Sequence, residues 1–325
     1  MAKLLYVYEE RIPEKLKELV LSYIPKDEFE IDFMTYKTSE EEQKKKLQNA
    51  ELVLFAPGRF LSDEILEYGK NIKLMQLWSS GYDKFNIEGS KKYGIRVSNN
   101  GGANASAVAE HAVLLMLAVY KKLPDSHERT VAGNWKGNSH GLDMFKIEGK
   151  TVGILGFGNI GRCVAKKLYG FEPKIIYHDI KRADPNIEKE LNAEFVSMEE
   201  LLSRSDILSL HLHSTDQTKN IIGNKEFDLM KKGAILVNVS RAQLVDQEAL
   251  VENLKSGKLL GAGVDVYIQE PTSGDEELLK LPNVVATPHM AGSTRDTYEF
   301  VMERIIDNFR RVVAGEKPMW VVNGI

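Results

Sequence analysis

A single cysteine, Cys163, stands in the whole chain. No internal disulfide can form, and a reducing compartment is expected. No apolar run approaches the roughly 20 residues that a helix needs to cross a bilayer. The apolar part of the opening MAKLLYVYEERIPEKL is too short for a signal peptide, so a cytoplasmic protein with no membrane partner is expected. Neither sign of charge dominates: 43 Lys and Arg face 47 Asp and Glu, for a net charge of -4. Without a long basic block, nucleic acid is a poor partner. The Lys44–Lys46 run follows an acidic run and reads as a solvated helix face. Internal repeats and low-complexity segments are also missing. Hydrophobic residues at 43% and charged residues at 28% describe an ordinary globular chain.

With 325 residues, the chain exceeds one ordinary core and suits two domains. The first hundred residues alternate short apolar runs with polar helical stretches. Leu4–Val7, Ile31–Thr35, Leu52–Phe55, Leu74–Trp78 and Ile95–Ser98 read as strands, and Pro13–Tyr23 and Ser39–Ala50 as helices. Ala103–Leu123 is rich in Ala and Leu and free of Gly and Pro, and predicts one long buried helix. Loop chemistry follows at Gly133–Gly137 and Gly141. From Thr151 a second series begins. Its strands are expected at Thr151–Leu155, Lys174–His178, Phe195–Ser197, Ile207–Leu212, Ala234–Val239, Gly263–Val266 and Val284–Ala286, with a closing helix over Ser293–Ala314. Strands alternating with helices predict an α/β protein of two doubly wound Rossmann-like domains with a cleft between them. The expected division is residues 1–100 plus 292–325 for substrate binding and 101–291 for the nucleotide.

Thr151–Arg162 reads TVGILGFGNIGR, a strand running into Gly156-x-Gly158-x-x-Gly161 and then a helix. Gly156 makes the tight turn, Gly158 admits a pyrophosphate and Gly161 lets helix and strand pack closely. The helix start, with Asn159 and Ile160, offers N–H groups to phosphate. Asp179 ends the next strand, 18 residues past Gly161 (179 − 161). A carboxylate there accepts from ribose hydroxyls and repels a 2′-phosphate, which favours NAD over NADP; Lys181 and Arg182 just beyond act against that preference. Cys163, at the start of this helix, reads as a small buried hydrophobe.

Hydride transfer to a keto acid needs a cation for the carboxylate and carbonyl, a proton donor, and a group that orients the donor. Arg241 in VNVSRAQLVD, Glu270 in DVYIQEP and His289 in TPHMAG each follow a predicted strand, at the sheet edge where doubly wound folds bind ligands. A guanidinium fork matches a carboxylate, and a Glu beside a His favours imidazolium. His211 and His213 alternate in SLHLHS like a metal pair but have no third ligand nearby, so no metal is expected. His111 on the long helix reads as packed, and Trp135 as an interface anchor first and a residue closing the partner's active site second.

GFGNIG at Gly156–Gly161, NVSRAQLVD at Asn238–Asp246, DVYIQEP at Asp265–Pro271 and TPHMAG at Thr287–Gly292 stand in one order along the chain. In this the sequence resembles the D-isomer-specific 2-hydroxyacid dehydrogenases, over nearly its whole length. The resemblance implies that Arg241, Glu270 and His289 form the catalytic set. It places Asp265 at the nicotinamide carboxamide and Val108 among the cofactor residues. Ser80 and Gly81, in SSGYD, become the loop that holds the substrate carboxylate beside Arg241 and His289. It also implies a homodimer, with the Ala103 helix and the loop after Trp135 at the interface. Two positions depart from the family pattern: Ala242 stands where Gly usually follows the Arg, and Ser79 where Gly is frequent.

Substrate choice is less legible. Arg11, Arg59 and Arg96 are the arginines of the first hundred residues, fewer than a phosphate-binding relative would use. Leu77 and Trp78 precede SSGYD and argue for an uncharged substituent on the substrate. The end at Ile325 leaves no room for a regulatory domain. Glyoxylate and hydroxypyruvate lead, with 3-phosphoglycerate and other small 2-keto acids behind. Two other readings compete. One is an NAD-sensing binding protein on the same fold. The other is a different NAD enzyme, such as an amino-acid dehydrogenase, which would carry a catalytic Lys or Asp in place of Glu270 and His289.

Overall fold

The apolar runs of the first hundred residues become parallel strands: β1 (Ala2–Tyr8), β2 (Phe29–Thr35), β3 (Leu52–Phe55), β4 (Leu74–Leu77) and β5 (Val97–Ser98), in the order β2-β1-β3-β4-β5. The computed structural model describes residues 1–56, 61–135 and 141–325. Every side chain of β3 and β4 is buried, as expected of strands covered on both faces. This sheet belongs to a unit made of Met1–Asn104 and Ser293–Ile325. The returning segment contributes the Arg295–Val313 helix, whose Val301, Ile305 and Phe309 pack under Leu4, Tyr6 and Leu74.

The second unit, Ala105–Gly292, holds seven parallel strands. They are β6 (Thr151–Leu155), β7 (Lys174–His178), β8 (Ala193–Phe195), β9 (Ile207–Leu210), β10 (Ala234–Asn238), β11 (Leu259–Val264) and β12 (Val284–Ala286). Their order is β12-β11-β10-β9-β6-β7-β8, so the winding reverses between β6 and β9. Ligands of such sheets bind outside the carboxyl ends of the strands at that reversal.

Three local expectations need correction. The long helix is not continuous to Leu123: it spans Ala105–Tyr120, and a second helix runs over Leu123–Val131. Lys122 between them is left-handed, with φ 47°. Pro124 has no N–H to give the Tyr120 carbonyl, which accepts from Phe145 N at 3.1 Å instead. The strand expected at Phe195–Ser197 lies at Ala193–Phe195, because Ser197 starts the next helix. Ser197 and Glu200 cap each other's backbone there, so the chain cannot stay extended. The strand expected at Gly263–Val266 begins at Leu259. Gly261 and Gly263, which look like breakers, sit inside it because the Ala105–Tyr120 helix presses on them. A Cβ at either would meet Val119 or Leu115 at 2.8 Å.

Candidate active site

The glycine turn follows β6. Gly156 has φ 94°, and a Cβ there would lie 2.8 Å from the His211 backbone, so no other residue fits. A Cβ on Gly161 would meet Gly156 O at 2.2 Å, which couples the Asn159–Leu168 helix tightly to the turn. Gly158 is different. Its backbone is ordinary, with φ -77°, and a Cβ there would meet nothing within 4 Å. Nothing among the described residues demands glycine at 158, and the space over it is open. A dinucleotide pyrophosphate fits, since Gly158 caps the helix without a side chain of its own and Gly158 and Asn159 are exposed. Ile160 is half-buried against the core. Val108, expected among the cofactor residues, is 5% exposed among the hydrophobic residues of this unit.

Asp179 follows β7 and turns back onto the same loop, its Oδ2 accepting from Phe157 N at 2.7 Å. Its Oδ1 accepts from Lys181 N only at 3.5 Å, which leaves that oxygen well placed for a ribose hydroxyl. Arg182, a potential 2′-phosphate cation, is committed elsewhere. Its guanidinium donates to both Glu188 oxygens, at 2.9 and 2.8 Å. Those bonds, with a third from Tyr177, hold the Glu188 carboxyl down at about 2.

β10, β11 and β12 are neighbours, so their carboxyl ends share one edge, with adjacent strands about 4.8 Å apart. Arg241 follows β10, Glu270 the segment after β11, and His289 the end of β12. His289 Nδ1 lies 2.9 Å from Glu270 Oε1. A carboxylate only accepts, so Nδ1 carries the hydrogen. Glu270 Oε1 also accepts from Tyr267 N at 3.2 Å. The Arg241 turn is shaped by Asn238, which was not singled out for a role from sequence. Its Nδ2 donates to Arg241 O at 2.8 Å and its Oδ1 accepts from Ser240 N at 3.0 Å. Arg241 Nη1 donates to Ser240 O at 2.7 Å. Ala242 begins a 3-10 turn and is not among the left-handed residues, so the missing glycine costs no strain.

Asp265 is fully buried. Its oxygens accept from Thr287 Oγ1 at 2.6 Å, Met290 N at 2.9 Å and Ala291 N at 2.8 Å. These bonds hold the loop in which His289 sits at φ 51°, a conformation that costs a non-glycine residue about 1–2 kcal/mol.

In the first unit, Ser80 and Gly81 are half-buried after β4. Ser80 Oγ hydrogen-bonds Asn100 and Asn104, Asn99 Nδ2 donates to Ser80 O at 2.8 Å, and Ser79 Oγ donates to Gly81 O at 2.7 Å. The asparagines Asn99, Asn100 and Asn104 belong to no motif of the sequence. Leu77 and Trp78 do not face a ligand as expected. Leu77 ends β4 in the core, and Trp78 is buried on Tyr298, so neither speaks about the substrate. Arg59 lies outside the described residues, as do Lys136 and Gly137 after Trp135. Cys163 packs half-buried against the core. His211 is no metal ligand here. Burial pushes its imidazole down to about 3, Nε2 bonds Ser209 Oγ at 2.8 Å, and Nδ1 is buried without a partner among the described residues. Among those residues no cluster of three or more metal-ligating side chains exists, and no helix is long and apolar enough to cross a membrane.

The sequence profile for the NAD binding domain of D-isomer specific 2-hydroxyacid dehydrogenases matches residues 113–291. The glyoxylate reductase of Thermococcus litoralis is 40% identical over 265 residues, covering 80% of each chain. The D-3-phosphoglycerate dehydrogenase of Archaeoglobus fulgidus is 34% identical over 289 residues, 88% of this chain but 53% of that one. The solved D-lactate dehydrogenase of Escherichia coli superposes with a TM-score of 0.83 at 28% identity, covering 98% of this chain and 99% of its own. With its two parallel sheets, its ligand-shaped glycine turn and relatives along most of its length, the chain belongs to the D-isomer-specific 2-hydroxyacid dehydrogenases, NAD-dependent oxidoreductases.

Proposed function

We propose that this enzyme reduces a small, uncharged-tailed 2-keto acid, with glyoxylate and hydroxypyruvate first. The observation that carries the reading is the 2.9 Å hydrogen bond between His289 Nδ1 and Glu270 Oε1. Glu270 orients the imidazole, and Nε2 delivers a proton to the C2 oxygen. Arg241 pairs with the substrate carboxylate and polarises the C2 carbonyl. Bound NADH supplies the hydride that reaches C2. Gly156, Gly158, Asn159, Ile160 and Gly161 hold the pyrophosphate, Asp179 the adenosine ribose, and Asp265 belongs to the nicotinamide carboxamide end.

The similarity to glyoxylate reductases supports the substrate choice, and the relative acting on 3-phosphoglycerate supplies the main competitor. Turnover over Michaelis constant, measured with NADH for glyoxylate, hydroxypyruvate, pyruvate and 3-phosphohydroxypyruvate, is expected to be highest for the first two. A phosphorylated substrate ahead by more than about tenfold would reassign the enzyme. No turnover with any of them would favour an NAD-sensing role.

Asp179→Ala is expected to narrow the preference for NADH over NADPH by about tenfold or more, through loss of the ribose acceptor and of repulsion toward the 2′-phosphate. An unchanged ratio of kcat/KM for the two cofactors removes Asp179 from the ribose site.

A cytoplasmic homodimer completes the reading. Val131 and Trp135, at and just past the end of the Leu123–Val131 helix, are 75% and 84% exposed, and Leu142 further along the chain is 93% exposed. Apolar side chains clustered along the chain in this way suit an interface. Sedimentation at micromolar concentration tests it.

A further inference from the structure

The Ala105–Tyr120 helix lays one stripe, His111, Leu115 and Val119, four residues apart, along the sheet. Leu115 and Val119 settle over Gly263 and Gly261, where any Cβ would clash. That close approach carries His111, one turn earlier, to the carboxyl end of the sheet. His111 is 9% exposed there, and its Nε2 lies 2.8 Å from Thr287 Oγ1. The same nitrogen is 3.6 Å from Asp265 Oδ1, beyond hydrogen-bond range.

The hydrogens in this chain of contacts have one consistent assignment. The Thr287 hydroxyl has a single proton, and Asp265 as a carboxylate has none to give. At 2.6 Å that proton goes to Asp265 Oδ1, so His111 must carry hydrogen on Nε2 and donate it to Thr287 Oγ1. Asp265 in turn accepts from Met290 N and Ala291 N, the two N–H groups directly after His289. Thr287 precedes His289 by two residues, and its carbonyl accepts from His289 N at 3.0 Å and Tyr267 OH at 2.9 Å. The carboxylate therefore grips both flanks of a residue whose left-handed backbone is disfavoured on its own.

We propose that His111 and Thr287 are positioning residues for the reaction: the hydrogen-bond chain His111–Thr287–Asp265 fixes the backbone on either side of His289 and so aims its imidazole. The proposal rests on the reading of His289 as the acid. It assigns a role to a histidine that its helical setting alone would leave as core filling. Misplacing a catalytic group by a fraction of an ångström lowers turnover without weakening ground-state binding.

The test measures kcat with glyoxylate and NADH, normalised to NADH-binding sites titrated by fluorescence, so that unfolded protein is not counted. Thr287→Val keeps the shape and removes the hydroxyl; kcat is expected to fall about tenfold or more, with KM for glyoxylate and Kd for NADH within about twofold. Thr287→Ser restores the hydroxyl and is expected within about threefold of the parent. His111→Phe should follow the valine variant, and His111→Gln, whose amide can donate, should recover most of the loss. Normal kcat in both Thr287→Val and His111→Phe overturns the proposal. So does a Thr287→Ser variant as slow as Thr287→Val, since the lost methyl would then be the cause. If His289→Asn is inactive while these variants turn over normally, only the positioning role fails. If His289→Asn itself turns over normally, the reading of the acid fails first.

Discussion

His289→Asn is expected to lower kcat by about 10³-fold while leaving the Kd for NADH within about twofold, since it removes the proton source and leaves the nucleotide turn untouched. Asparagine keeps a polar group near Glu270 and therefore spares the carboxylate the cost of standing unpaired. Glu270→Gln should be milder, because an amide oxygen still accepts from Nδ1–H and keeps the ring oriented. The two residues act as one unit, so the double variant should be hardly slower than His289→Asn alone. Stopped-flow measurement of NADH oxidation at saturating glyoxylate reads these effects directly. Turnover of His289→Asn within about tenfold of the parent removes the imidazole from the proton-transfer step.

The second large effect falls on Arg241. Arg241→Gln is expected to reduce kcat/KM for glyoxylate by about 10³-fold or more, in both kcat and KM. The guanidinium is asked to do two things: anchor the carboxylate in the ground state and stabilise the oxygen that gains charge as hydride arrives. Lysine should recover little, because a point charge cannot reproduce two parallel N–H donors. The Asn238 bonds that shape the Arg241 turn involve its backbone carbonyl, so the substitution should leave that turn standing. A variant that loses only KM would limit Arg241 to anchoring; one that loses neither would place it outside the site.

Taken residue by residue, the two halves of the site differ in how openly they are written. GFGNIG is local as a motif, a turn, a close crossing and a helix start made within six residues; Gly161 proves to be forced by a contact inside that segment, Gly156 by its left-handed backbone and by the distant His211 backbone. Arg241, Glu270 and His289 are strand-end residues of neighbouring motifs, and their placement on one edge follows once the strands are ordered. The asparagines behind Ser80 and the Thr287–His111 pair left no such trace. Each is a contact across 19 or more residues, and the last spans 176. Leu77 and Trp78 show the opposite error: apolar residues beside a binding loop read as a pocket wall, yet a short strand and the Tyr298 ring take them into the core.

Alternating apolar and helical segments, a glycine turn and four ordered motifs determined by themselves that this is an α/β enzyme of paired parallel sheets with a nicotinamide site, because periodicity and turn chemistry are properties of neighbouring residues. Tertiary structure alone decided where the Ala105 helix breaks, how close it lies on the sheet, and that its histidine meets the loop of the proposed acid. Those outcomes depend on which distant surfaces fill each other's space, as Leu115 and Val119 fill the space above two glycines, and no local pattern encodes that fit.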